Sequence, residues 1–119
     1  MASRFTELII DCGDAATLGR FWAAVLDYDI TDEDHDSVLI EGPAGSGPGL
    51  LFSESTDPKT QKNRLHIDVN PTDRNQAEEV ERLIGLGARR IDIGQGDQSW
   101  EVLADPEGNE FCLLRRRVA

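Results

Sequence analysis

Apolar and polar residues alternate through residues 5–12. Leu8, Ile10 and Cys12 fall on one side, Glu7 and Asp11 on the other, the pattern of a half-buried strand. After Gly13-Asp14, where Asp14 is placed to cap, the period changes. Leu18, Phe21, Trp22, Val25 and Leu26 recur at the i, i+3, i+4, i+7, i+8 spacing of an amphipathic helix, predicted over about residues 15–26. The helix ends near Asp27, one of the few residue types besides glycine that tolerate the left-handed conformation of a helix end. Short strands are predicted at 28–31 and 37–41, separated by the acidic turn Asp32-Glu33-Asp34-His35-Asp36. A further strand, residues 50–53, follows the glycine-rich connection 42–49.

The second half repeats this order. Residues 64–70 alternate, with Leu65, Ile67 and Val69 on one face and His66 and Asp68 on the other. Pro71-Thr72 turns the chain, and Asp73 with Gln76 has capping-box spacing. Ala77, Val80, Leu83, Ile84 and Gly87 then predict a helix over about residues 74–86. A strand at 90–93 and a turn at 94–98 lead to a closing hairpin, strands 100–104 and 110–114. Its turn is Asp105-Pro106-Glu107-Gly108, where proline presets φ and glycine accepts a positive one. In the last strand Glu110, Cys112 and Leu114 share one face, Phe111 and Leu113 the other. Each half reads strand, helix, three strands. The expected fold class is α+β: one domain over residues 1–119, with module one at about 4–54, a linker at about 55–63 and module two at about 64–117.

The chain has 119 residues, enough for one domain with a core. Its net charge of -11 argues against nucleic acid or an anionic membrane as partner. No apolar run approaches a membrane span and no signal-peptide pattern is present, so a cytoplasmic location is expected. Cys12 and Cys112 form no disulfide framework. Arg115-Arg116-Arg117 reads as a solvated strand end. The run 42–49 is not a phosphate loop: no Lys-Ser/Thr follows it, and the next element is a strand.

The two-half pattern, the segment 14–28 with Phe21-Trp22 and Leu26, the run Arg64-Leu65-His66-Ile67-Asp68-Val69, and Asp105-Pro106-Glu107-Gly108-Asn109-Glu110 together resemble the vicinal oxygen chelate superfamily. Within it the chain is similar to the small glyoxalase-like and bleomycin-resistance-like domain proteins. The resemblance implies two βαβββ modules forming a curled mixed sheet around a pocket, and a homodimer. It also implies a metal site with one ligand each from the first, fourth, fifth and eighth strands. Family activities run from glyoxalase I isomerisation, ring-cleaving dioxygenation, epimerisation and thiol transfer to fosfomycin to antibiotic sequestration, so the fold alone selects no function.

Carried over by position, Glu7 matches the first-strand ligand and His66 the fifth. The eighth-strand glutamate position, seven residues after Asp105, holds Cys112, with Glu110 two residues earlier on the same face. The fourth strand offers only Glu54, near its end. Glu7, His66 and Glu110 are the expected metal ligands, for Zn, Ni, Mn or Fe, and are expected to face a common cavity on the side away from the helices. Glu7 and Glu110 are the candidate catalytic carboxylates. His66, Phe52, Trp100 and Cys112 are the candidate ligand-binding residues. A dioxygenase would want two histidines and a carboxylate, and the only other histidine, His35, lies in the charged turn. Each candidate also has a plainer reading: His66 as a hydrogen-bonded structural residue, Glu7 and Glu110 as a solvated sheet face, Cys112 as a small buried hydrophobe, Trp100 as core. The expected function is small-molecule binding or sequestration with a degenerate metal site. The alternative is a divalent-metal-dependent lyase or isomerase of the glyoxalase type using Glu7, His66 and Glu110.

Overall fold

The computed structural model describes residues 1–118. The chain divides into two compact units between Pro58 and Lys59, and both are built in the same order. In the first, β1 (Glu7–Cys12), α1 (Ala15–Leu26), β2 (Asp29–Asp34), β3 (Ser37–Glu41) and β4 (Gly49–Glu54) form a sheet of order β1-β4-β3-β2. In the second, β5 (Ile67–Val69), α2 (Gln76–Leu86), β6 (Arg89–Arg90), β7 (Glu101–Ala104) and β8 (Glu110–Leu113) form a sheet of order β5-β8-β7-β6. The first strand of each unit pairs parallel to the last, and the other pairs are antiparallel. The fold is α+β, two βαβββ modules with mixed sheets, as the two periodicities predict. Among the described residues no helix is long and apolar enough to cross a membrane.

In the first unit α1 starts where the Asp14 carboxylate accepts from the Thr17 N–H, at 3.1 Å, and from the Thr17 hydroxyl, at 2.8 Å. It stops at Asp27, in the left-handed region at φ 55°. The apolar stripe is the buried face, with Leu18, Phe21, Trp22 and Val25, and Phe21 meets Trp22 edge-on at 5.4 Å between ring centres. Gly19 lets the helix approach the sheet: a Cβ there would lie 2.7 Å from Val38 Cγ1 and 3.5 Å from the Phe52 ring.

The structure corrects several local expectations. Asp32, Glu33 and Asp34, expected in a turn, belong to β2 and pair with Leu39, Val38 and Ser37. All of β2 is exposed, so it carries no apolar alternation. It is an edge strand of its sheet, and its row of carboxylates discourages further pairing there. The α2 cap is Asn75, not Asp73. Asn75 Oδ1 accepts from the Glu78 N–H at 2.9 Å and Glu78 Oε1 accepts from the Asn75 N–H at 3.1 Å, while Asp73 bonds Arg74 at 2.8 Å. The strand expected at 64–70 begins only at Ile67. Leu65, expected on its buried face, is 83% exposed because it precedes the paired run.

Candidate functional site

In the second unit β8 lies between β5 and β7. Asp68 and Val102 both pair with Cys112, and Ala104 pairs with Glu110. Residues paired directly across a ladder point to the same side, so Asp68, Cys112, Val102, Glu110 and Ala104 share one face. His66, two residues before Asp68, projects from that face as well. The opposite face carries Phe111, Leu113 and Leu103, all at most 1% exposed; Val80 and Leu83 of α2 are buried as well.

The turn that delivers Glu110 is held from inside. Asp105, 1% exposed, accepts from the Glu107 N–H at 3.0 Å, the Asn109 N–H at 2.9 Å and the Asn109 amide at 3.0 Å. Gly108 supplies the positive φ, 87°. Glu110 then meets two donors: Lys59 Nζ lies 2.8 Å from Oε1, and the Asn63 N–H reaches Oε2 at 3.1 Å. Asn63 also donates to Asn109 at 3.1 Å. Burial pushes the Glu110 carboxyl up, but the bonds from Lys59 and Asn63 outweigh it and hold the group below its usual value. Glu110 therefore clamps the segment 59–63 and is not a free carboxylate.

A different trio comes together beside it. His66 Nε2 lies 3.2 Å from Asp68 Oδ1, and ligand atoms of His66, Asp68 and Cys112 all lie within 4.8 Å of one another. Burial pushes the Cys112 thiol up first, and the Asp68 charge adds to it, against a weaker pull from Lys62. Asp68 is the functional candidate missed in the sequence. Its signal was the His66-x-Asp68 spacing, which puts both on one strand face.

The remaining candidates belong to other elements. Glu7 opens β1, exposed, opposite Gly49. Phe52 is fully buried, its ring 3.5 Å from where a Cβ on Gly19 of α1 would lie. Glu54, the fourth-strand ligand candidate, accepts from the Ala15 N–H at 3.1 Å and so serves the first turn of α1. Trp100, 38% exposed, immediately precedes β7.

Of the expected ligands Glu7, His66 and Glu110, Glu110 has both oxygens engaged, by Lys59 and Asn63; Glu54, at the end of the fourth strand, accepts from a helix end. The donor set that does fit an ion is His66, Asp68 and Cys112: an imidazole, a carboxylate and a thiol that metal binding would deprotonate.

The sequence matches the glyoxalase-like domain family over residues 7–114. The chain belongs to this family. Its glyoxalase-like fold is shared with the fosfomycin resistance protein FosX from Listeria monocytogenes, at 16% identity, covering 99% of this chain and 94% of that one, with a TM-score of 0.73. FosX from Mesorhizobium loti matches at 14% identity over 99% and 95% of the two chains, TM-score 0.71. A glyoxalase/bleomycin resistance protein/dioxygenase family enzyme from Burkholderia phytofirmans matches at 16% identity over 93% and 97%, TM-score 0.68. These likenesses confirm the vicinal oxygen chelate fold. A mutant form of the Listeria protein is complexed with Mn(II) and 1S,2S-dihydroxypropylphosphonic acid. No curated protein matches this glyoxalase-like sequence significantly.

Proposed function

We propose that this glyoxalase-like protein binds a small organic molecule on the polar face of its second sheet and does not isomerise it. The observation that carries this reading is the engagement of Glu110 by Lys59 and Asn63. A glyoxalase-type base must be free to take a proton from substrate, and a carboxylate bonded at both oxygens and held anionic is a poor base. What the face offers instead is recognition. The exposed His66 imidazole and Asp68 carboxylate are set beside Cys112, Val102 and Ala104, which are buried, a mixture of polar and apolar groups of the kind that small-molecule sites use. The test is to titrate labelled protein with catechol and with the methylglyoxal–glutathione hemithioacetal, following amide shifts. Saturable shifts confined to residues 66–68 and 110–113, weakened in Asp68→Ala and without turnover of the hemithioacetal, support binding. Turnover that is lost in His66→Ala while the fold persists overturns it.

A second reading, a metal-dependent lyase or isomerase, is favoured by the His66, Asp68 and Cys112 cluster and by the Mn(II) of the Listeria relative. Those three residues would hold the ion, and the ion would polarise an oxygen of the substrate. A thiolate in the set suits Zn better than Mn. Co(II) substitution reads this without activity: a thiolate-to-metal charge-transfer band that disappears in Cys112→Ser supports the site, and its absence from the wild-type protein refutes it.

A further inference from the structure

We propose that a groove just past the ends of β5 and β8 is a binding site for a small organic anion, gripped by Arg115 and Arg116. The groove, about 530 Å³, is lined by Asn70, Ser99, Leu114, Arg115 and Arg116, a volume within the usual range for small-molecule sites. The arginine triplet looks in the sequence like a solvated strand end, but its backbone is anchored. The Leu114 N–H donates to Val69 O at 2.8 Å, Asn70 Nδ2 to Arg116 O at 2.8 Å, and the Val118 N–H to Pro71 O at 2.9 Å. These bonds carry the β5–β8 association beyond the paired strands and fix the stems from which the two guanidiniums project. The third arginine is turned to another task, as Arg117 Nε donates to Thr72 O at 3.2 Å. The facing wall is tied to the same frame: Gln76 Nε2 donates to Ser99 O at 2.9 Å and to Leu113 O at 3.1 Å.

Charge identifies the occupant. The chain has 23 acidic and 12 basic residues, net -11, so cations have carboxylates in plenty to choose from. Arg20, Lys59, Arg74, Arg82 and Arg90 each take one. Among the described residues Arg115 and Arg116 form no ion pair, as is true also of Arg4, Lys62, Arg64, Arg89 and Arg117, but these two line a groove whose lining holds no carboxylate. Two adjacent guanidinium forks on a fixed backbone match the paired oxygens of a carboxylate or phosphoryl group. The Asn70 amide and the Leu114 side chain border the space where the rest of the molecule would lie, and Leu114 makes an organic anion a better occupant than a bare ion. None of the lining residues belongs to the His66, Asp68 and Cys112 cluster, so the proposal stands whether or not that cluster binds anything.

Benzoate and inorganic phosphate are the probes, titrated at constant ionic strength with chloride as the reference. Amide shifts at residues 70, 99 and 114–116 and the fluorescence of Trp100, next to Ser99, are the readouts. The expected result is saturable binding of at least one probe to one site per chain, weakened about tenfold or more in the Arg115→Ala/Arg116→Ala double variant and changed less than about twofold in Arg117→Ala. Tighter benzoate points to a carboxylate ligand, tighter phosphate to a phosphorylated or phosphonylated one. Equal binding by the double variant overturns the proposal. So does a response that never saturates, or one that chloride reproduces. Circular dichroism of the variants separates loss of binding from loss of fold.

Discussion

Glu110 keeps only 10% of its side chain exposed while carrying a charge, against a Lys59 side chain 26% exposed. Its carboxyl is held below the usual value in the folded chain, so the sign of the linkage is set. The contribution to stability is present above the unfolded carboxyl range and is lost as pH falls through the lower folded value. Lys59→Met should therefore lower the denaturation midpoint at pH 7, and the gap to the wild type should close as the solution is acidified well below pH 4.5, the ordinary glutamate value. A gap independent of pH would show that Lys59 acts by packing alone. Asp105 makes a similar argument with a larger stake. Removing its carboxylate strands the Glu107 and Asn109 N–H groups, and Asp105→Ala should cost about 2–3 kcal/mol in urea unfolding. At Gly19 the danger is excess: the 2.7 Å approach to Val38 means Gly19→Ala must push α1 off its sheet, for a loss of about 1–3 kcal/mol despite alanine's better helix propensity.

The elements show which local signals can be trusted. Both Asp73 with Gln76 and Asn75 with Glu78 have capping-box spacing in the sequence. In the structure Asp73 is taken by Arg74 and the reciprocal bonds form at Asn75. Asn75→Ala should cost about 1 kcal/mol, and Asp73→Ala should leave the unfolding midpoint where it was. The reverse ranking would return the cap to the residue the sequence first suggests. The helix stripes survive scrutiny because their period reports one buried face. The strand β2 escapes the same reading because an exposed edge buries neither face, leaving no alternation to detect.

At the scale of the whole molecule, the two-module family resemblance motivates one expectation of assembly, a homodimer. Light scattering in the micromolar range should give twice the chain mass, and a persistent monomer would end the idea. The two βαβββ repeats, both helices and the Asp105–Gly108 hairpin turn were determined by the sequence alone, because period, capping chemistry and turn residues are short-range properties read within a few positions. So was the resemblance to the glyoxalase-like family, carried by motifs on those same elements. The state of the candidate site was decided only by tertiary structure. Lys59 and Glu110 are 51 residues apart, and nothing local marks them as partners. Asp68 and Cys112 meet through a parallel register between the first and last strands of a module, so Cys112 acquires its carboxylate neighbour across a ladder the sequence does not spell out. The arginine run is the same case. Charge and spacing describe a solvated end, and it takes the bonds to Val69, Asn70 and Pro71 to turn that run into the wall of a groove. Long-range pairing is what converts residue types into partners, and it exists only once the chain has folded.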